Sequence, residues 1–353
     1  MTHKERALAV FKRKSVDRFP FWYGAAPDFT EKLIKYVGAK DEDEALYDII
    51  GIDFKTIRPK YIGKPLKTYE NGDTETIWGT RRGGYHYGQA IKNPLSGFDS
   101  ISQIEKNYTF PNPDDFDVSI SPQEREWAKD YCLIGGTWAP FFHDSLELQG
   151  MQEFFLNMYE NPEFVDYIIQ RSFEFYYEID RRTFEQNKGV IDMYFIGNDF
   201  GSQRALLVSP DMWRKLYKPR LKKLIQQARD NGCVTAIHSC GSIKEIIPDF
   251  IEIGVDAINP IQVNADDMEP EMLMREFGAD IVFFGGIDEN YIILECTEEV
   301  VRAETRRIID ILGSKGRYIV AASHDYLLSE VPEDNIYAMY DEAKKYGVGN
   351  LKF

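Results

Sequence analysis

The chain has 353 residues, of which 43% are apolar and 28% are charged, a balance typical of a globular protein. Its net charge of −16 at pH 7 argues against binding to nucleic acid or to an anionic membrane, because both attract Lys and Arg. No stretch approaches the roughly 18 consecutive apolar residues of a membrane span. The four cysteines are too widely scattered for a disulfide framework, so we expect a cytoplasmic protein.

The first third of the chain predicts short elements without a regular rhythm. Helices are predicted over 3–14, 27–37 and 45–50, and strands over 19–23 and 52–57, from the spacing of apolar residues. The stretch 66–91 is rich in Thr, Tyr and Gly, and its Asn71-Gly72 pair favours a tight turn, so we expect an antiparallel hairpin insertion there. Residues 93–125 show little periodicity and are expected to form a long connection.

From residue 130 onward, strand and helix patterns alternate regularly. Strands are predicted over 132–137, 192–196, 234–238, 256–260, 281–284 and 317–322. Helices are predicted over 144–158, 161–187, 209–231, 243–253, 269–277, 297–314 and 332–346. With the earlier candidates this gives about eight strands, which predicts an α/β fold: a (β/α)8 TIM barrel forming a single domain over residues 1–353. An open doubly wound sheet is the alternative, although no glycine-rich dinucleotide fingerprint follows any strand.

His238 and Cys240 stand at the end of the short apolar run 234–238. Residues two apart on an extended chain point the same way, and an imidazole nitrogen with a thiolate sulfur is a ligand pair that zinc favours. We therefore interpret the pair as metal ligands. The alternative is a buried cysteine beside a histidine that is hydrogen-bonded to the backbone.

Several longer motifs resemble the uroporphyrinogen decarboxylase superfamily, which includes the cobamide-dependent methyltransferases. The resemblance extends over most of the chain and lies in Val16-Asp-Arg-Phe-Pro20, Gly51-Ile-Asp-Phe54, Gly197-Asn-Asp-Phe-Gly-Ser-Gln203, Ser209-Pro210, His238-Ser-Cys-Gly241, Asn259-Pro-Ile-Gln262, Gly285-Gly-Ile-Asp288 and Pro332-Glu-Asp-Asn-Ile-Tyr-Ala-Met339. The superfamily fold is the (β/α)8 barrel, in agreement with the strand count.

The resemblance is closer to the methyltransferase branch than to the decarboxylases. The decarboxylases carry an arginine-rich stretch after the first strand, where this chain reads Tyr23-Gly-Ala-Ala-Pro27. Without those cations, a polyanionic substrate would not be drawn to so acidic a chain. The methyltransferases carry a His-x-Cys zinc motif and a second cysteine before the last helix. His238 and Cys240 match the first part, and His324 stands where the second cysteine is missing, with Asp325 as the fallback ligand.

Other polar and aromatic residues follow the predicted strands, where the active site of a barrel lies. We expect catalytic roles for Asp199, Gln203 and Asp288, although Asp199 and Asp288 could instead be helix N-caps. We expect the cofactor site to include Tyr23, Trp138, Asn198, Asn259 and Gln262. Aromatic residues on the predicted loops could also wall an apolar pocket: Trp22, Tyr23, Trp78, Tyr85, Tyr87 and Trp138.

The resemblance implies a methyltransferase that moves a methyl group between a small methylated compound and cobalamin or another corrinoid. The corrinoid would be bound to a separate carrier protein, and a zinc ion would activate a thiol or hydroxyl. Methoxylated aromatics, methylamines and thiols all fit as substrates, and a homodimer is plausible. The alternatives are a metal-independent decarboxylase or lyase acting on a small carboxylate, with Asp199 and His324 as acid and base, and a non-catalytic corrinoid-binding protein.

Overall fold

A sheet of seven parallel strands forms the centre of the computed structural model, which describes residues 1–84, 88–324 and 326–350, without the side chains of residues 348–350. In spatial order its strands are β1, β7, β8, β9, β10, β11 and β12. Two smaller antiparallel sheets pair β2 with β6 and join β3, β4 and β5. The strands are β1 Phe54–Thr56, β2 Lys60–Tyr61, β3 Thr74–Glu75, β4 Arg81–Gly83, β5 Gln89–Lys92, β6 Phe116–Asp117, β7 Cys132–Gly135, β8 Met193–Gly197, β9 Val234–His238, β10 Ala257–Asn259, β11 Val282–Phe284 and β12 Tyr318–Ile319.

Residues 20–22 connect the two edges of this curled sheet. Phe21 forms a parallel bridge with Val320, and the amide of Trp22 donates to the carbonyl of Val320 at 3.0 Å. On the other side, the amide of Asp53, just before β1, donates to the carbonyl of Phe21 at 3.0 Å. The segment therefore takes the place of an eighth strand, and the predicted (β/α)8 barrel is confirmed.

Helices cover the outside of the sheet. They are α1 His3–Phe11, α2 Pro27–Val37, α3 Ile101–Asn107, α4 Pro122–Asp130, α5 Phe141–Gln149, α6 Met151–Glu160, α7 Pro162–Gln186, α8 Pro210–Leu216, α9 Lys218–Asp230, α10 Ile247–Ile253, α11 Pro270–Phe277, α12 Glu298–Leu312 and α13 Glu333–Asn350. The helix predicted over 27–37 and the strand predicted over 234–238 match the structure residue for residue. The long connection predicted over 93–125 is wrong in part, because α3 and the start of α4 lie within it. Within the described chain, no helix is both long and apolar enough to cross a bilayer.

Aromatic side chains fill the inside of the barrel. The Trp22 ring packs edge-on against Phe54, Phe195 and Phe284, with ring centroids 5.6–5.9 Å apart. Trp138 packs edge-on against Phe195 at 4.9 Å. A layer of edge-to-face rings of this kind is a stable core, and it gives the end of the barrel above it an apolar floor.

A buried carboxylate ties the N-terminal segment to the barrel. Asp53 is fully buried, and it accepts hydrogen bonds from Arg6 and Arg18, both at 2.7 Å, and from the amide of Phe21 at 2.7 Å. The two motifs 16–20 and 51–54 therefore meet in one charge cluster. Since Asp53 precedes β1, this cluster lies at the N-terminal end of the strands, where barrel residues serve stability.

The predicted hairpin insertion is confirmed as the sheet β3–β4–β5. Arg82 of β4 forms a bidentate ion pair with Glu147 of α5, in which Nε donates to Oε2 at 3.0 Å. Trp78 is buried against α7, where its ring packs edge-on on Phe175 at 5.0 Å, so it contributes to packing rather than to a pocket wall. Tyr85 and Tyr87 lie outside the described residues.

Candidate metal centre

Three neighbouring strands end at the same level at the mouth of the barrel. Gly197 ends β8, His238 ends β9 and Asn259 ends β10, and His238 is in register with both of the others. Gly197 leaves space for Trp138, because a Cβ there would lie 1.7 Å from the indole ring. The Trp138 ring consequently lies next to the His238 ring, with centroids 5.2 Å apart.

The neighbouring strand sets the orientation of the His238 imidazole. Its Nδ1 lies 2.8 Å from Oδ1 of Asn259. Because an amide oxygen only accepts, this contact places the proton on Nδ1 and leaves the lone pair of a neutral ring on Nε2. A metal-binding histidine is usually held in this way, with its second nitrogen donating to an oxygen.

The side chains of Asp199 and Cys240 converge on Nε2 of His238. Sγ of Cys240 lies 3.4 Å from Nε2, and Oδ1 of Asp199 lies 3.2 Å from it. Ligand atoms of the three residues all lie within 4.8 Å of one another. His238 is 9% exposed, whereas Asp199 and Cys240 are half-buried, so the group is open to the mouth on one side.

The loops that carry Asp199 and Cys240 are fastened to each other. The amide of Cys240 donates to Oδ1 of Asp199 at 2.8 Å, and the amide of Ser242 donates to the carbonyl of Ser202 at 2.8 Å. Gly241 has φ +85°, a left-handed conformation that glycine adopts without a steric penalty. These contacts hold Asp199, which follows β8, beside His238 and Cys240, which lie at the end of β9.

The electrostatics of the group favour an ionised Asp199. Burial by itself would raise the pKa of this carboxyl. When the His238 ring is protonated, its charge and the hydrogen bonds from His143 and His238 outweigh burial and hold the pKa of Asp199 well below its usual value; a bound cation would take the place of the proton on Nε2. The carboxylate is therefore an anion at neutral pH, as a metal ligand must be.

The donor set and its spacing suit a zinc ion. With Zn–N and Zn–O bonds of about 2.0–2.1 Å and a Zn–S bond of about 2.3 Å, neighbouring ligand atoms of a tetrahedral site lie roughly 3.3–3.7 Å apart. The contacts to Nε2 of His238, at 3.4 and 3.2 Å, are close to this spacing. A thiolate and a carboxylate beside a neutral imidazole also balance the charge of a divalent cation, so these residues fit the metal that the resemblance implies.

His324 is half-buried in the loop after β12, and it is not a member of the converging group among the residues that the structure describes. Its role as a ligand stays a prediction. Asp325, the predicted fallback, lies outside the described residues.

The remaining predicted site residues mainly hold the loops of the mouth. Gln262 accepts from the amide of Gly241 at 2.8 Å and donates to Gln203 at 3.1 Å, and Gln203 in turn donates to the carbonyl of Asn264. These contacts link the loops after β8, β9 and β10. Catalytic and cofactor-binding roles for Gln203 and Gln262 stay predictions.

Asn198 and Asp288 are engaged in backbone contacts. Asn198 is fully buried. It accepts from the amide of Phe142 at 2.9 Å and donates to the carbonyl of Ala139 at 3.0 Å. Asp288 accepts from the amides of Asn290 and Tyr291 and thus is the N-cap of the short π-helix Glu289–Ile293, the structural alternative that the sequence left open. Neither contact tests the predicted roles in binding and catalysis.

Asp199 itself is not a helix cap. The next helix, α8, is capped by Ser209, whose hydroxyl accepts from the amide of Met212 at 3.3 Å.

Tyr23 lies close to α2, with its hydroxyl 3.0 Å from Oγ1 of Thr30, and burial raises the pKa of this phenol. The phenol is thus engaged by α2.

His143 belongs to this region and was not identified from the sequence. It lies in the first turn of α5, and its Nε2 is 3.3 Å from Oδ2 of Asp199. A titratable side chain just after the predicted strand 132–137 was the signal that could have singled it out, since the ends of barrel strands carry functional groups.

The protein is therefore a (β/α)8 barrel with an Asp, a His and a Cys converging at its mouth. Barrels of this class support many different chemistries. The sequence model of the uroporphyrinogen decarboxylase family (URO-D) matches residues 101–346. The chain belongs to this family. No curated protein sequence matches the chain.

The chain superposes on two solved structures. A methyltransferase from Methanosarcina mazei superposes with a TM-score of 0.63 at 16% identity, covering 98% of this chain and 99% of that one. Native xylanase 10B from Thermotoga maritima superposes with a TM-score of 0.47 at 12% identity, covering 99% of each chain. The likeness to the methyltransferase, at 16% identity, supports the barrel architecture alone.

Proposed function

We propose that the protein is a metal-dependent methyltransferase that moves a methyl group between a small methylated compound and a corrinoid on a separate carrier protein. The observation that carries the proposal is the convergence of Asp199, His238 and Cys240 within 4.8 Å at the mouth of a barrel of the uroporphyrinogen decarboxylase family. The methyltransferase from Methanosarcina mazei, which shares the fold, is consistent with this reaction class.

The residues of the chain have separate tasks in this proposal. His238 and Cys240 hold a divalent cation, and Asp199 supplies the carboxylate that completes the charge balance. When bound, a cation such as zinc lowers the pKa of a thiol or hydroxyl so that it exists as an anion at neutral pH. Trp138, beside His238, and the aromatic layer below it keep water from the inner side of the site.

The decarboxylase alternative is less well supported by the charges at the mouth. The segment 23–27 follows the first strand and has no arginine, so a polyanionic porphyrinogen would lack its counter-charges there. A decarboxylase or lyase for a smaller carboxylate remains the second candidate, since Asp199 is ionised and lies within 3.3 Å of two histidine rings.

Metal analysis separates these two proposals. We expect about one zinc per chain in the purified protein, and loss of both the zinc and methyl transfer in a His238→Ala Cys240→Ala double variant. Cys296→Ala is the matched control, because Cys296 is also a partly exposed free cysteine and lies just before α12, far along the chain from Cys240. Full metal content in the double variant would contradict the ligand assignment, and activity without metal would favour the second candidate.

Spectra of a corrinoid mixed with candidate methyl donors separate an enzyme from a binding protein. We expect the absorbance of methylcobalamin to appear when the protein is incubated with reduced cobalamin and a methoxylated aromatic, a methylamine or a methylated thiol. A binding protein would shift the corrinoid spectrum without any methylation of cobalt.

A further inference from the structure

The two oxygens of the Asp199 carboxylate have different partners. Oδ1 accepts from the amide of Cys240 at 2.8 Å and lies 3.2 Å from Nε2 of His238. Oδ2 lies 3.3 Å from Nε2 of His143. One oxygen therefore faces the converging group, and the other faces a histidine outside it.

His143 is not itself a member of the converging group within the described part of the chain. Its side chain is 35% exposed, and that of Asp199 is 36% exposed. A carboxylate with so much contact with solvent can rotate about its Cβ–Cγ bond, a torsion whose preferences are broad. The amide of Cys240 holds only Oδ1, so a donor on Oδ2 is the second contact that would fix the plane of this carboxylate.

The side chain of Asn198 holds together the two segments that carry His143 and Asp199. Asn198, the residue before Asp199, accepts from the amide of Phe142 at 2.9 Å and donates to the carbonyl of Ala139 at 3.0 Å. The residue before Asp199 thus binds the residue before His143. The start of α5 and the loop after β8 therefore form one unit, and the contact between the two side chains does not depend on a flexible segment.

We propose that His143 is a positioning residue of the metal centre: by donating to Oδ2, it presents Oδ1 of Asp199 to the ion held by His238 and Cys240. This inference rests on the proposed function, because it assumes that the group binds a metal. It adds that Asp199 is the third protein ligand and that its hydrogen-bond partner controls affinity. Partners of this kind typically change metal affinity by roughly 10–100-fold.

The test compares three variants for Co²⁺ and Zn²⁺ affinity, measured by competition with a chelator on the full chain. His143→Leu removes the donor and should weaken binding by roughly 10–100-fold. His143→Gln retains an N–H donor near the same place and should bind within about threefold of the original protein, since the hydrogen bond to Asp199 is kept. Glu147→Gln is the matched control, because Glu147 lies on the same helix as His143. The substitution weakens the ion pair of Glu147 with Arg82 of β4 and leaves the contact with Asp199 unchanged.

The absorption spectrum of bound Co²⁺ provides a readout that a merely structural role would not change. We expect His143→Leu to alter the ligand-field bands while its circular dichroism stays the same, because a carboxylate ligand is lost or turned. Affinity and spectrum unchanged in His143→Leu would overturn the inference, as would a His143→Gln variant as weak as His143→Leu. Weakening by Glu147→Gln to the same degree would also overturn it, since the effect would then come from the helix.

The outcomes for the inference and for the proposed function can be told apart. Tight metal binding that depends on His143, without methyl transfer from any donor, supports the inference and contradicts the reaction. Methyl transfer together with metal binding that does not depend on His143 supports the reaction and contradicts the inference. A protein that binds neither Co²⁺ nor Zn²⁺ overturns both.

Discussion

The backbones of Gly201 and Gly241 pack directly against each other and hold together the loops that carry Asp199 and Cys240. A Cβ on Gly241 would lie 2.6 Å from the carbonyl carbon of Gly201, and a Cβ on Gly201 would lie 2.6 Å from the carbonyl oxygen of Cys240. Backbone atoms cannot move aside as a flexible side chain can. The close approach of Asp199 and Cys240 thus requires glycine, which has no side chain, at both position 201 and position 241.

Gly241→Ala should therefore separate the two loops and weaken metal binding. The left-handed φ of +85° costs alanine about 1–2 kcal/mol, and the collision adds to that cost. We expect Zn²⁺ affinity to fall by at least roughly tenfold, as when ligand support is lost, measured by chelator competition.

Gly232→Ala is the matched control for this substitution. Gly232 has φ +83°, but nothing lies within 4 Å of a Cβ built there. The Gly232→Ala variant should have a free energy of unfolding about 1–2 kcal/mol lower, measured in urea, and should keep its metal affinity. Equal metal affinities in the two variants would show that the contact between the loops does not matter.

Asn259→Ala should weaken metal binding through His238. Without Oδ1 of Asn259, which lies 2.8 Å from Nδ1, the imidazole loses the acceptor that fixes its tautomer and plane. We expect roughly 10–100-fold lower Zn²⁺ affinity.

Asn335→Ala provides the comparison for Asn259→Ala. Asn335 is equally a buried asparagine, and it donates to the carbonyls of Ile293 and Cys296 before α12. Its loss should lower stability without changing metal affinity. If both variants bound zinc as tightly as the original protein, the orientation of His238 would not depend on Asn259.

The barrel could be predicted from the sequence because its signals are local. Buried parallel strands such as Met193–Gly197 are continuous apolar runs, and from β7 onward helices alternate with the strands of the central sheet. α4 was missed for the opposite reason: none of its residues is buried, so apolar periodicity was absent. Its signal was the capping box of Ser121 and Glu124 with Pro122 at the first position.

The candidate site was only partly predictable, because most of its contacts are between loops. His238 and Cys240 are two residues apart, so their common direction follows from strand geometry. Asp199 reaches Cys240 across 41 residues of sequence, and His143 reaches Asp199 from a different helix. No periodic pattern encodes such pairs. They follow from which strands are neighbours, and that depends on closure of the whole barrel.

Asp180 should make the protein less stable as the pH rises towards neutral. This carboxyl of α7 is fully buried and accepts from the amide and hydroxyl of Thr137 and from the hydroxyl of Tyr194. Burial raises its pKa to about 7 despite these hydrogen bonds. A group whose pKa rises on folding binds more protons in the folded state, so the free energy of unfolding falls with pH between about 4 and about 7.

Asp180→Asn should remove this dependence. An amide keeps an acceptor for Thr137 and has no charge to bury, so the curve of unfolding free energy against pH should flatten by up to about 1.4 kcal/mol per pH unit. Urea unfolding at several pH values between 4.5 and 7 measures it, with the exposed Asp230→Asn as control. An unchanged slope in Asp180→Asn would mean that Asp180 ionises in the folded protein as it does in the unfolded chain.

Asp53 should stabilise the fold strongly and have no effect on metal binding. Asp53→Asn leaves the guanidinium groups of Arg6 and Arg18 buried at one site without their shared counter-charge, which typically costs about 3–5 kcal/mol. Asp17→Asn removes only the half-exposed partner of Arg6 and should cost no more than about 1 kcal/mol. Urea unfolding measures both losses.

The folded fraction of the Asp53→Asn variant at low temperature should bind Zn²⁺ as the original protein does, because the cluster and the candidate metal centre lie at opposite ends of the strands. A folded variant with lost zinc affinity would show instead that the motifs 16–20 and 51–54 act on the site through the barrel. Normal affinity would place these two family motifs among the residues that close the barrel, and would leave the loops of the mouth as the source of its chemistry.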